Sequence, residues 1–170
     1  MLNRSKTIIA AVAIMTCAAA TASAQQDLTF STPSGQTVNL SNMRGKVVVL
    51  LFSGVQDPQR REELKALESL AAERLQGKEV KICWVSVNSP TEVTNDQLKN
   101  LAATAASVSV LRDTNQAAFK RFSGKQAQLP TIVVLDRQGN PFGQPRGGFN
   151  PNSDFINDLA SIIDTLLQRK

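Results

Sequence analysis

A chain of 170 residues that is 42% hydrophobic and 19% charged is long enough for one domain with a core, and it is too apolar to be a disordered segment. Its net charge of +5 is mild and no block of Lys and Arg concentrates it, which argues against nucleic-acid binding. There is no histidine, so Ser-His and Cys-His nucleophiles are excluded, and zinc, copper and haem sites lose their commonest ligand.

The first residues read as a targeting segment. Arg4 and Lys6 precede an apolar, alanine-rich run, and Ala22-Ser23-Ala24 fits a signal-peptidase site. Residues 1–24 are therefore expected to be a cleavable signal peptide and residues 25–170 one exported domain. A membrane anchor fits less well because the run is short for a span. A lipoprotein acylated at Cys17 fits less well because Ile14-Met15-Thr16 is a poor match before such a cysteine. Cleavage after Ala24 removes two bases and no acid, lowering the net charge to +3, and it leaves Cys83 as the sole cysteine. One cysteine cannot form an internal disulfide.

Leu28–Phe30 and Thr37–Leu40 flank Pro33-Ser34-Gly35 and read as a small hairpin. Residues 41–45 turn the chain into Val47–Phe52, a continuous apolar run expected to be a central strand covered on both faces. A polar bend follows. Asp57 is a good helix N-cap and Pro58 a good first helical residue, and Leu64, Leu67, Ala71 and Leu75 then recur at helical spacing until Gly77. Val80–Val87 is the next buried-type strand, which completes a βαβ unit.

Thr94 and Gln97 fit a capping box opening a helix through Ala105. Val108–Leu111 reads as a short strand and Thr114–Phe122 as a helix. Ile132–Leu135 is a strand and Asp136-Arg137-Gln138-Gly139 a hairpin turn. Phe142–Arg146 is expected to return as an edge strand, since Pro141 and Pro145 forbid a central place. A last helix is expected from Asn152 or Ser153, with Phe155, Leu159, Ile162, Ile163 and Leu166 on one face.

Gly35 through Leu40, then Gly45-Lys46-Val47-Val48-Val49, resembles the opening of the exported bacterial thioredoxin-like redoxins of the TlpA-like and AhpC/TSA-like branch. Leu129-Pro130-Thr131, the strand after it and Asp136–Gly139 resemble that family's later proline segment. The resemblance covers about residues 28–167 and implies an α/β thioredoxin-like fold: a mixed central sheet flanked by helices, with an N-terminal β-hairpin extension. It also implies a redox site of the form W-C-x-x-C after the first long strand. Laid on that pattern, Val55 falls on the Trp, Gln56 and Gln59 on the cysteines, Asp57 and Pro58 between them, and Arg60 on a basic residue that often follows. Pro130 falls on the proline that is cis in the family.

Both cysteine positions are glutamine here, and thiol–disulfide exchange requires a thiolate. Ser53 lies three residues before Gln56, like the peroxiredoxin Thr-x-x-Cys, but the peroxidatic sulfur is missing. The resemblance thus implies fold, export and groove, while the residues deny the redox chemistry. The expectation is a redox-inactive binding, adaptor or chaperone-like module with a degenerate site at Val55, Gln56, Asp57, Pro58, Gln59, Leu129 and Pro130. Its partners would be periplasmic proteins or extended peptides, with no cofactor, no metal, no nucleic acid and no membrane span after cleavage; oligomeric state is left open. The alternative is a thiol-disulfide oxidoreductase or peroxidase of envelope redox homeostasis that uses Cys83 or other chemistry. Cys83 reads as an inert core thiol and Trp84 as a core residue. Arg60 and Arg61 read as solvated helix residues, and Gly147-Gly148 is assigned no site.

Overall fold

The computed structural model describes residues 27–55, 59–124, 128–150 and 154–169. The expected leader and the bend residues Gln56, Asp57 and Pro58 lie outside them. The described chain runs β1 (Thr29–Ser31), β2 (Thr37–Asn39), a 3₁₀ turn (Leu40–Met43), β3 (Val47–Ser53), α1 (Arg60–Arg74), β4 (Val80–Ser86), α2 (Asn95–Ala102), β5 (Ser109–Arg112), α3 (Ala117–Ser123), β6 (Thr131–Leu135), β7 (Arg146–Gly147) and α4 (Phe155–Gln168). The strands form one mixed sheet in the order β2-β1-β5-β4-β3-β6-β7. β3, β4 and β5 are parallel, β6 runs antiparallel to β3, and the β1–β2 hairpin joins the far edge through Ser31 and Arg112. This is the α/β thioredoxin-like architecture, hairpin extension included.

All seven residues of β3 are buried, as a strand covered on both faces requires. Alternation divides their side chains. Val47, Val49 and Leu51 pack with Ile82, Trp84, Ile132 and Val134 beneath α1, α2 and α4. Val48, Leu50 and Phe52 pack with Cys83, Val85 and Val133 beneath α3, the hairpin and the 3₁₀ turn. On α1, Leu64, Leu67, Leu70 and Ala71 form the buried stripe. α2 opens with the expected box, in which the Gln97 N–H donates to Thr94 Oγ1 and the Thr94 N–H to Gln97 Oε1.

Some boundaries differ from expectation. α1 begins at Arg60 with Gln59 at its N-cap, not with Asp57, because its first i→i−4 bond runs from the Glu63 N–H to the Gln59 carbonyl. α4 begins at Phe155, its first such bond running from Asp158 to Asp154. The return strand is shorter and later than Phe142–Arg146. After a single bridge between Leu135 and Pro141, only Arg146–Gly147 pairs with β6, since two prolines without N–H groups interrupt the ladder.

A charged side chain enters the core from α1. Glu63, in the first turn of α1, is fully buried, and its Oε2 accepts from the Trp84 indole Nε1–H at 3.1 Å. The bond ties α1 to β4. Trp84→Phe keeps most of the volume but removes this donor from a buried carboxylate, a loss of about 1–3 kcal/mol. Urea unfolding followed by far-UV circular dichroism should show the midpoint fall while the slope stays unchanged.

Candidate functional site

Parallel strands in an α/β sheet present ligand sites at their carboxyl ends. Here Ser53, Ser86 and Arg112 close β3, β4 and β5 in register, and by alternation all three face α1 and α2. β6 enters the same edge from the opposite direction. Its Thr131 pairs with Phe52, which brings Pro130 beside the end of β3.

The buried polar and charged side chains among the described residues are Ser53, Glu63, Ser86, Arg112, Asp113 and Thr131. Every one lies at this edge or in the first turn of the helix above it. Buried polar groups lower stability unless hydrogen-bonded, so their gathering at one end of the sheet marks it off from the apolar remainder. Among them, Ser53 Oγ and Arg112 Nε have no hydrogen-bond partner among the described residues. Burial also pushes the Arg112 guanidinium below its ordinary pKa. Burial pushes the Asp113 carboxyl above its ordinary value, opposed by the Phe119 N–H that donates to it at 2.8 Å.

The segment joining β4 to α2 is fastened to this edge at three points. Asn88 Oδ1 accepts from the Val55 N–H at 2.8 Å, Gln116 Nε2 donates to the Val87 carbonyl at 3.1 Å, and Arg112 Nη2 donates to the Val93 carbonyl. Val55 is consequently buried and fixed where the bend begins.

Of the residues expected to form the site, Val55, Gln59, Leu129 and Pro130 fall among those described, and Gln56, Asp57 and Pro58 do not. Val55 and Gln59 flank the bend at its two ends. The Leu129–Pro130 peptide is cis. Pro130 is buried, and its carbonyl accepts from the Gly148 N–H at 3.1 Å, which requires the positive φ that Gly148 adopts. Thr131 Oγ1 donates to the Gln128 carbonyl on the other side of the proline. Leu129 is 40% exposed, the one large hydrophobic side chain so exposed among the described residues. The edge therefore combines a fixed Val55, a held proline turn and a protruding apolar side chain.

Cys83 stands apart from this arrangement. It pairs with Leu50 and Ser109 in mid-strand, three residues and roughly 10 Å from the edge. It packs on the α3 face of the sheet, away from α1. It is fully buried, and that burial pushes its thiol from about 9 up to about 12, opposed by the charge of Lys81. Cys17 and Cys83 are the only cysteines in the sequence, so no cysteine pair stands at the bend. Among the described residues no group of three or more His, Cys, Asp or Glu side chains is placed to hold a metal ion.

Sequence reasoning missed Glu63 and Arg112. For Glu63 a signal existed: it lies four residues before Leu67 and seven before Leu70, on the apolar stripe itself. Arg112 gave none, because a charged residue ending a strand ordinarily faces water.

The AhpC/TSA family model matches residues 20–140. The chain belongs to the AhpC/TSA family. Its solved structural neighbours include chains assigned as bacterial thiol-disulfide proteins. A chain assigned as a thiol:disulfide interchange protein DsbE from Chlorobium tepidum has a TM-score of 0.66 and 25% identity, covering 83% of this chain and 93% of that one. One assigned as a protein disulfide isomerase from Bacteroides thetaiotaomicron has a TM-score of 0.67 and 22% identity, with 84% and 87% covered. The pneumococcal exposed lipoprotein thioredoxin from Streptococcus pneumoniae has a TM-score of 0.60 and 21% identity, with 80% and 98% covered. No curated protein matches the chain.

The thiol makes a direct prediction. Cys83 should be silent towards a chromogenic disulfide reagent at pH 8 in native buffer and should titrate fully after denaturation; rapid native labelling would contradict its burial. The same shift acts on stability. The folded thiol holds its proton to about pH 12 while the unfolded one releases it near 9, so this contribution is intact below pH 9 and is lost as pH rises towards 12. Cys83→Ala should therefore flatten the alkaline limb of a stability–pH profile.

Proposed function

We propose that the chain is an exported, redox-inactive thioredoxin-fold module that binds extended segments of other envelope proteins at the edge formed by Val55, Gln59, Leu129 and Pro130. The observation that carries this reading is chemical. The bend has glutamine where the redoxin pattern has sulfur, and Cys83 is buried in the opposite face of the sheet. What is left at the edge is a contact surface, with Leu129 protruding beside a fixed proline turn. Hydrogen-bonding glutamines and an exposed apolar anchor suit an extended peptide, whose backbone supplies both donors and acceptors. The leader-like first 24 residues support export and a periplasmic location, with cleavage after Ala24.

Family membership favours a second reading, a thiol-disulfide oxidoreductase or peroxidase of envelope redox homeostasis. That reading requires Cys83 to become accessible, or chemistry without sulfur.

Insulin reduction and peroxide consumption separate the two. The purified protein should leave both rates at the uncatalysed level, and Cys83→Ser should change neither; turnover that depends on Cys83 would establish the second reading. The binding reading is tested by crosslinking in periplasm. A Leu129→Asp, Gln59→Arg variant should recover several-fold less of the partners that the native chain captures, and equal recovery would rule out this edge as the contact.

A further inference from the structure

Next to the bend, α1 and α2 enclose an open cleft of about 570 Å³, a size typical of ligand sites. Its floor is apolar, made by Val55, Leu64 and Leu101. Its α1 wall carries Arg60, Arg61 and Lys65, and none of the three has a hydrogen-bond or ion-pair partner among the described residues. The acid on the wall, Glu68, is turned away to the Ser107 N–H, which it accepts through both carboxylate oxygens at 2.9 Å. The α2 wall offers amides and a hydroxyl, among them Asn100 and Thr104. The cleft is thus positive on one side, neutral and polar on the other, and greasy beneath.

We infer that this cleft binds acidic peptide segments in extended conformation, with carboxylates at alternate residues. The inference rests on reading the chain as a peptide-binding module and names the chemistry of its partner. Length supports a peptide over a small anion. The α1 wall runs from Arg60 to Ser69, roughly 13 Å along a helix axis, which accommodates about four extended residues. Spacing supports alternation. Arg61 and Lys65 stand one turn apart, about 6 Å along the axis, and side chains two residues apart on an extended chain are about 6.6 Å apart on the same face. The intervening apolar side chains of such a peptide would turn to Leu64 and Leu101, and its backbone to Asn100.

The test is fluorescence anisotropy with the full chain and a labelled Asp-Val-Glu-Val probe, compared with its Asn-Val-Gln-Val isostere. The acidic probe should bind about tenfold more tightly at low salt, and the preference should shrink as salt rises. Arg61→Glu, Lys65→Glu should abolish the preference; both positions are exposed, and the milder Arg61→Gln, Lys65→Gln should reduce it several-fold. Equal affinity for the two probes, or a preference untouched by either variant, would overturn the inference. So would displacement of the probe by inorganic phosphate beyond what chloride achieves at matched ionic strength, because that identifies a small-anion site. An absent acid preference with Leu129-dependent partner capture intact would fail the cleft alone, and the reverse pattern would fail the edge alone.

Discussion

Everything at the carboxyl edge is positioned by the burial of β3 on both faces. Its seven residues leave no side chain free to face water, so neither neighbour can slip by one residue without driving a full set of apolar groups to the wrong face. The parallel ladder with β4 fixes Ser53 beside Ser86, and the antiparallel ladder with β6 fixes Phe52 opposite Thr131. The end of β3 and the proline turn are far apart in sequence, and this double register brings them together. Their juxtaposition is a property of the core before it is a property of any site.

Above that register sits a polar layer that the core does not need. Glu63 under α1 and Arg112 under the β4–α2 segment each remove a charge from water, at an expense that hydrogen bonds to Trp84 and Val93 offset only in part. A fold that needed only stability would place apolar residues there. The bonds instead fix the helix and the segment that border the bend. Both bonds are made in a chain whose two cysteines, Cys17 and Cys83, lie outside the bend. Rigid edges favour binding, since less freedom is lost when a partner docks.

The sequence made the element order legible because the signals were local. Continuous apolar runs marked β3, β4 and β6, and Thr94 with Gln97 marked the start of α2. Boundaries were harder. A good cap residue and a proline pointed to Asp57 and Pro58 as the start of α1, but helix registration is decided by which carbonyl receives the first bond, and Gln59 does. The prolines of the return segment mark an edge strand, and their missing donors also shorten it. Of the site, the altered bend and Pro130 were legible through the family pattern. The basic cleft was not, because Arg60, Arg61 and Lys65 face α2 only after the β4–α2 segment folds back. Glu63 is a charged residue type on an apolar stripe, and there its position rather than its type decides its burial.

The chain contains one tryptophan and no tyrosine. That indole sits at the centre of the sheet, hydrogen-bonded to the first turn of the helix that walls the cleft. Light emitted on selective excitation of tryptophan thus comes from a single buried ring whose indole N–H is bonded to that helix. Any tilt or retreat of α1 loosens this contact and alters the colour and intensity of the emission. The protein carries its own optical gauge of the helix that runs from the bend and walls the cleft.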